Sequence, residues 1–329
     1  MRENAISLQN YRTYLSKFQS LIILISLTII VGLLSERFFS INNMWNILRQ
    51  TSVNLCISVG MTMVILTGGI DLSVGSVLGF TGAVIAGLLK NGLTLTPLGI
   101  VIQYEPLGAA IVGILVGLAL GLFNGFVITK FRVPPFVATL GMLTAARGFT
   151  MLWTKGYPIT GLGEKFGFIG TGWLLGIPMP VWISGIIAFL GAMTLRKTRF
   201  GRYIYAIGGN EKAAKLSGVN VDKIKLWTYA ISGALSAIAG LIVTSRLDSA
   251  QPNAGTSYEL DAIAAVVIGG TSLSGGKGSI IGTVQGALIM GVLNNGLVLM
   301  GVSPFWQQVI KGFVIILAVI LDKLGKKEE

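Results

Sequence analysis

Histidine is absent from the 329 residues of this chain, and cysteine occurs once, as Cys56. Without histidine there is no histidine-ligated metal, no Ser-His hydrolytic pair and no imidazole that titrates near neutral pH. A single cysteine also excludes an intrachain disulfide. Most classes of hydrolase are therefore ruled out before any motif is considered.

Charged residues are scarce too, at 12% of the chain, whereas 53% of the residues are apolar. Apolar runs of roughly 20 residues, the length of a helix that crosses a bilayer, recur along nearly the whole sequence. We predict an all-α polytopic membrane protein with a single transmembrane domain, residues 1–329. About ten spans are expected, near residues 19–35, 44–68, 73–89, 107–129, 134–154, 180–195, 226–245, 260–270, 280–300 and 305–321.

The net charge of +12 is explained by where the basic residues lie. If the N-terminus is cytoplasmic, the cytoplasmic segments hold 17 of the 25 Lys and Arg residues, and the opposite side holds five. The predicted cytoplasmic segments are residues 1–18, 130–132, 196–225, 271–279 and 322–329. The positive-inside rule then predicts that both termini are cytoplasmic, and the charge gives no reason to expect a nucleic-acid partner.

One acid, Asp71, interrupts the apolar pattern within LTGGIDLSVGS, residues 66–76. The segment GGIDLSVG (68–75) matches GGTSLSGG (269–276) at five of eight positions, and apolar runs flank both copies. Six predicted spans separate the copies, so they would share one orientation, as in parallel repeats related by an axis along the membrane normal. A di-glycine followed by a polar patch predicts a broken or re-entrant helix at each copy.

The carboxylate of Asp71 is expected to cap the helix that follows the break and to hold a polar kink beside a translocation pathway. The residues predicted for the break or the pathway are Asn54, Thr67, Asp71, Ser73, Asn294 and Asn295. For the amides and hydroxyls within spans, including Thr62, hydrogen bonding between helices is the favoured interpretation, with contact to a polar substrate as the alternative.

A second intramembrane acid, Asp261, follows a polar cluster at the outer end of the eighth predicted span. The cluster consists of Asp248, Gln251, Asn253, Tyr258 and Glu259. A helix cap or a polar pair with a facing span, with Arg147 as a candidate partner, would offset the cost of burying Asp261. An aspartyl protease built on Asp71 and Asp261 is disfavoured, because the two acids are predicted near opposite membrane faces and could not share a proton.

The longest charged segment, residues 196–225, carries eight basic residues and two acids. Within it, NEKAAKLSG predicts a short helix that Asn210 caps and Gly218 ends. Its small apolar face, formed by Ala213, Ala214 and Leu216, suits docking into a groove of a cytoplasmic partner or lying on anionic lipid.

The run GGKGS at 275–279 invites comparison with a phosphate-binding Walker A loop. Counted back from Lys277, that loop needs Gly at 271 and Ser or Thr at 278, where this chain has Thr271 and Gly278. No nucleotide site is therefore predicted within the chain.

Four stretches together resemble the permease subunit of a ribose-type ABC importer, in the binding-protein-dependent family of sugar and branched-chain amino acid permeases. They are GGIDLSVGS, GRYIYAIGGNEKAAKLSGVNVDKIK, SAQPNAGTSYELDAIAAVVIGGTSLSGGKGS and GALIMGVLNNGLVLMGV. The resemblance covers roughly residues 35–322, although residues 90–106 match nothing in it. Ion-coupled secondary sugar transport is the alternative that the repeat and Asp71 would fit equally well.

The resemblance implies a homodimeric pore in the cytoplasmic membrane of a bacterium that moves a monosaccharide, ribose above others, by alternating access. It also implies an extracytoplasmic sugar-binding protein and cytoplasmic ATP-binding subunits, which would hold ATP and magnesium in place of any cofactor in this chain. The residues that it assigns to contact with the ATPase are Gly209, Asn210, Glu211, Ala213, Ala214, Ser217 and Gly218.

Overall fold

A computed structural model describes residues 19–95 and 100–326 of the chain. Residues 1–18 and 327–329, predicted to be cytoplasmic, lie outside the described residues, as do residues 96–99. The described residues form α1 (Gln19–Leu34), α2 (Ile41–Leu66), α3 (Val74–Asn91), α4 (Pro106–Lys130), α5 (Pro135–Thr154), α6 (Glu164–Thr171), α7 (Met179–Lys197), α8 (Arg199–Gly209), α9 (Glu211–Leu216), α10 (Val221–Leu247), α11 (Tyr258–Ile268), α12 (Ile280–Leu299) and α13 (Pro304–Lys326).

Every predicted span coincides with one helix, and only α6, α8 and α9 were not predicted as spans. Six helices of the described part, α3, α4, α5, α7, α10 and α12, are long and apolar enough to cross a membrane. Shorter apolar stretches occur in α1 and α13. The prediction of an all-helical polytopic membrane protein is confirmed at this level.

In the part of the chain that the structure describes, three small antiparallel sheets of two strands each join the connecting segments. They pair β1 (Leu93–Leu95) with β2 (Ile100–Ile102), β3 (Ile159–Thr160) with β6 (Ser249–Ala250), and β4 (Trp173–Leu174) with β5 (Ile177–Pro178). Their strands are only two or three residues long, so they fasten loops and build no layer of the core. The sequence pattern did not predict them.

Helix α2 forms the centre of the bundle, and its residues from Thr51 to Leu66 are almost all buried. Helix α10 packs against α4, α2 and α3. Small residues permit this approach, because a Cβ at Gly117 of α4 would overlap the backbone of Gly233 on α10. By contrast α5 and α7 turn large apolar side chains outward, as Leu152 and Phe189 do, which suits contact with lipid.

The two ends of the bundle differ in structure. One end, here called the α9 end, carries α8, α9 and the loops 67–73 and 269–279. The other, the hairpin end, carries the three small sheets and α6. Helix α11 starts inside the bundle, where a Cβ at Gly75 in the first turn of α3 would overlap the Glu259 carboxylate, and it has 11 residues. At 1.5 Å per residue it is about 16 Å long, roughly half of the ~30 Å hydrocarbon thickness of a bilayer.

Candidate functional site

The break after α2 is a compact loop, residues 67–73, that leads directly into α3. Thr67 remains tied to α2, since its hydroxyl donates to the Val64 carbonyl at 2.7 Å. Gly68 then takes a positive φ of 78°, a conformation that favours glycine and turns the chain away from the helix. Three of the predicted break residues, Thr67, Asp71 and Ser73, lie within this loop, and all three are buried.

Asp71 is 1% exposed, and both of its carboxylate oxygens accept hydrogen bonds. Oδ1 accepts from the backbone N–H of Ser73 at 3.0 Å and from the Ser73 hydroxyl at 2.6 Å. Oδ2 accepts from the hydroxyl of Ser232 on α10 at 2.9 Å. The amide of Asn124 on α4 donates to the Ser73 hydroxyl at 3.0 Å. The carboxylate therefore fastens the loop to α10 directly and to α4 through Ser73.

The expected capping role needs a correction. The residue that precedes α3 is Ser73, and its side chain makes no cap hydrogen bond. Asp71 lies three residues before the first helical position, too far back to reach the free N–H groups of the first turn. Its carboxylate closes an Asx turn onto Ser73 instead.

A buried tyrosine hydroxyl lies beside this loop. Tyr229 of α10 is 1% exposed, and its hydroxyl has no hydrogen-bond partner among the described residues. A Cβ at Gly69 would overlap that hydroxyl, so the second glycine of the GG pair makes room for the ring.

The two copies of the glycine-rich repeat meet at the α9 end. The N–H of Gly276 donates to the Leu66 carbonyl at 3.1 Å. A Cβ at Gly275 would lie 3.0 Å from both the Gly68 nitrogen and the Gly208 Cα, so α8 completes the contact. We call this meeting of residues 66–69, 208–209 and 275–278 the glycine junction. It leaves no space for side chains between the three backbones.

Helix α9 forms at the predicted place. The Asn210 side chain accepts from the Ala213 N–H at 3.0 Å, and Gly218 follows the helix with a φ of 84°. The ammonium group of Lys225 on α10 pairs with the Glu211 carboxylate at 2.8 Å, which holds α9 against the start of α10.

The faces of α9 differ from the expected single apolar face. Ala214 is 5% exposed and packs with Ile207 and Val221, so it anchors the helix to the bundle and is not available for docking. Leu216 is 90% exposed, and Ala213 is also exposed. The surface that a partner could reach thus comprises Gly209, Asn210, Glu211, Ala213, Leu216, Ser217 and Gly218, all of them exposed.

A cavity of ≈ 210 Å³ opens among α2, α10, α11, α12 and α13 in the half of the bundle nearer the hairpin end. Its walls bring together two of the predicted pathway residues, Asn54 and Asn294. Asp261 lines it as well and pairs with the Lys311 ammonium group at 2.9 Å. The cavity is thus lined by amides and an ion pair inside an otherwise apolar bundle.

The partner of Asp261 is Lys311 of α13, and the candidate Arg147 was wrong. The Arg147 guanidinium instead donates to the carbonyls of Ala254 at 2.7 Å and Pro252 at 3.3 Å. Asp71 and Asp261 have separate sets of partners, which does not fit a catalytic dyad. Among the described residues, no three acids or cysteines come together as metal ligands.

Other predicted pathway residues join helices to each other. Asn295 of α12 and Asn43 of α2 exchange two amide hydrogen bonds, at 2.8 and 3.0 Å. Thr62 of α2 lies 2.6 Å from Thr283 of α12, hydroxyl to hydroxyl. Asn295 therefore packs away from the cavity, although its neighbour Asn294 lines it.

Comparison with known proteins gives one family. Residues 43–319 match the permease component of the branched-chain amino acid transport system. The chain belongs to this permease family. It is 51% identical to the ribose import permease protein RbsC of Escherichia coli K12, over 98% of this chain and 99% of that protein. It is 52% identical to RbsC of Bacillus subtilis, over 90% of this chain and 89% of that protein. The galactose/methyl galactoside import permease of Escherichia coli is 38% identical over 98% of both chains. No solved structure matches the chain.

Membership makes the chain a transport permease and not an enzyme. Four residues that the sequence analysis did not select contact the predicted residues or the loop that holds them: Asn124, Tyr229, Ser232 and Lys311. Of these four, only Lys311 could have been selected from the sequence, because a lysine within an apolar helix needs a buried partner. The other three are ordinary polar residues of apolar helices, and their alignment with the loop depends on how the helices pack.

Proposed function

We propose that this permease is the membrane subunit of an ATP-driven importer that carries ribose into a bacterial cell. The observation that carries the proposal is the identity of about half of all residues with ribose import permeases over nearly full length, against 38% with the galactose permease. The cavity fits a sugar, because amide and carboxylate groups line it.

We propose that ten helices lie within the cytoplasmic membrane, with α11 as a half-helix and the α9 end on the cytoplasmic side. The number of basic residues in 196–225 supports this orientation. Both termini would then be cytoplasmic, and the hairpin end would face outward. The two glycine-rich loops are the broken connections, and residues Thr67, Asp71 and Ser73 belong to the first of them.

Three kinds of partner follow from this proposal. A second copy of the permease forms the dimer, an extracytoplasmic sugar-binding protein docks at the hairpin end, and an ATP-binding subunit holds ATP and magnesium. The exposed surface of α9, with Leu216 at its end, is the contact for that subunit. Its small side chains would allow a groove to close around the helix.

The glycine junction gives alternating access a mechanical basis. α8 continues into α9 through Asn210, and at Gly208 it touches Leu66 at the end of α2 and Gly276 of the second loop. A displacement of α9 by the ATPase would therefore move α8 against the end of α2 and the second loop together. Asp71 would carry the movement of the first loop to α10, since it fastens that loop to Ser232.

Uptake of labelled ribose into proteoliposomes tests the proposal. The vesicles hold the permease with its ATP-binding subunit, and the binding protein is outside, with and without trapped ATP. Uptake that requires both ATP and the binding protein is the expected result. Uptake that ignores ATP would indicate secondary transport, and ATP turnover without ribose uptake would overturn the choice of sugar.

A further inference from the structure

The outward face of α7 ends in two basic residues. The large exposed side chains of this helix recur every three or four positions, at Ile186, Phe189, Leu190 and Met193. Arg196 and Lys197, which are also exposed, continue the same series. Because residues three and four positions apart lie on one face of a helix, the two basic groups end the surface that suits contact with lipid.

The length of this surface matches one leaflet of a bilayer. Ile186 lies near the middle of α7, and Lys197 is its last residue. At 1.5 Å per residue the two are about 16 Å apart along the helix, roughly half of the ~30 Å hydrocarbon thickness. The basic groups therefore lie at the depth where acyl chains give way to headgroups.

Helix α8 extends the basic surface. It buries Ile204 and Ile207, and its Tyr205 hydroxyl donates to the Gly278 carbonyl at 2.8 Å, so these contacts fix which side of the helix faces the bundle. The opposite side is exposed and carries Arg199, Arg202 and Tyr203. We call the four exposed basic residues at this turn between the two helices the basic corner: Arg196, Lys197, Arg199 and Arg202.

No acid balances the basic corner. The segment 196–225 contains two acids, and both are already paired elsewhere. Glu211 pairs with Lys225 at 2.8 Å, and Asp222 pairs with Arg132 at 2.6 Å. Within the part of the chain that the structure describes, no ion pair includes a residue of the basic corner. Four uncompensated cations within seven consecutive positions favour an anionic partner.

The position of the cations selects the class of anion. They continue an exposed apolar stripe, so the partner that fits has an anionic group joined to long apolar chains. Tyrosine is enriched at the membrane interface, where Tyr203 would lie beside the cations. A soluble partner at the α9 end would meet the cations but would leave the stripe of α7 unexplained. An anionic phospholipid accounts for both features.

We infer that the basic corner binds the headgroup of an anionic phospholipid whose acyl chains lie along the outward face of α7. Arg196 and Lys197 reach the phosphate from the end of α7, and the arginines of α8 reach it from the other side. A guanidinium group can donate two hydrogen bonds to one phosphate, which suits three arginines to this role. The lipid thus holds the start of α8, the helix that reaches the glycine junction at Gly208.

Lipid binding to the full purified permease in detergent tests the site. Native mass spectrometry measures the affinities for phosphatidylglycerol and phosphatidylcholine that have identical acyl chains. Phosphatidylglycerol should bind more tightly. Each cation near the lipid contributes about 5-fold, so Lys197→Gln with Arg199→Gln should weaken phosphatidylglycerol binding about 25-fold. Binding of phosphatidylcholine should stay unchanged, because it has no net charge.

The matched control is Lys212→Gln with Lys215→Gln on α9. Both lysines are exposed and lie at the same end of the bundle, and this variant has the same net charge as the test variant. Neither lysine continues the stripe of α7, so affinity for phosphatidylglycerol should stay within about 2-fold of the wild type. Thermal unfolding of both variants should match the wild type, because all four residues are exposed.

Three results would overturn the inference. An equal loss of affinity in the test and control variants would mean that net charge alone attracts the lipid. Unchanged phosphatidylglycerol binding in the test variant, together with loss of the co-purified ATP-binding subunit, would assign the basic corner to that subunit. Displacement of the lipid by an equal concentration of glycerol phosphate would indicate a site for a soluble phosphate. The assay of lipid affinity contains neither ribose nor ATP, so its result is independent of the proposed function.

Discussion

Replacing Asp71 by alanine should loosen the break between α2 and α3. The carboxylate accepts three hydrogen bonds, two from Ser73 and one from Ser232, in a site that is 1% exposed. Each is worth about 1 kcal/mol, or about 1.5–3 when the partner is charged, and the donors left behind are buried. We therefore expect Asp71→Ala to lower the free energy of unfolding by about 3–5 kcal/mol, a large part of the roughly 5–15 kcal/mol that folded proteins possess.

A double-mutant cycle with Ser232→Ala isolates the bond that crosses from the loop to α10. Ser232→Ala alone should cost about 1.5–3 kcal/mol, because it removes a hydrogen bond to a buried carboxylate, and in the Asp71→Ala background it should cost nearly nothing, because its partner is already gone. Unfolding of the purified permease by a titrated denaturing detergent gives the four free energies. Asp222→Ala is the control, since that acid pairs with Arg132 at the surface and should leave the transition nearly unchanged.

Additive effects within about 0.5 kcal/mol would refute the reasoning, since they would mean that Asp71 and Ser232 do not interact in the folded protein. A stable Asp71→Ala variant with normal ATP-driven uptake would do so too. Asp71→Asn keeps the volume and one acceptor oxygen, so its loss of stability should be smaller than that of the alanine variant.

Three further predictions concern the junction, α9 and the cavity. Gly208→Ala should reduce stability and uptake because its Cβ would overlap the Leu66 carbonyl at the end of α2 and the Gly276 nitrogen, whereas a Cβ in Gly209→Ala meets nothing within 4 Å. Thermal unfolding of the two variants is compared, and equal midpoints would contradict the junction. Leu216→Asp should leave thermal unfolding unchanged but abolish co-purification of the ATP-binding subunit, and retained binding would place the docking surface elsewhere. Lys311→Met should cost about 3 kcal/mol in unfolding by leaving Asp261 unpaired. Adding Asp261→Leu should restore most of that loss, and no recovery would argue against the pair.

The positions of the helices could be predicted from sequence because they depend on local properties. Apolar length places a span, and the signals at Asn210 and Gly218 define α9 to the residue, since the capping groups lie within a few positions of the backbone that they satisfy. The breaks after α2 and α11 could also be predicted, because the glycine pairs at 68–69 and 269–270 act on the backbone at the break itself.

Which polar side chains pair with each other between helices could not be predicted from local sequence. The bond between Asp71 and Ser232 spans 161 positions, and Lys311 lies 50 positions from Asp261. Arg147 was an equally plausible partner by composition, and only the packing of α13 beside α11 decided against it. The inward turn of Ala214 likewise depends on the neighbours Ile207 and Val221.

By itself, then, the sequence determined that the chain is a polytopic helical permease, roughly where its spans lie, and which segments interrupt them. Only the tertiary structure decided that the two glycine-rich loops meet α8 in one junction and that Thr51, Asp261 and Asn294 line one cavity. The physical reason is that hydropathy and capping act along the chain. The lateral arrangement of helices instead depends on the close packing of small residues and on polar pairs between residues far apart in sequence.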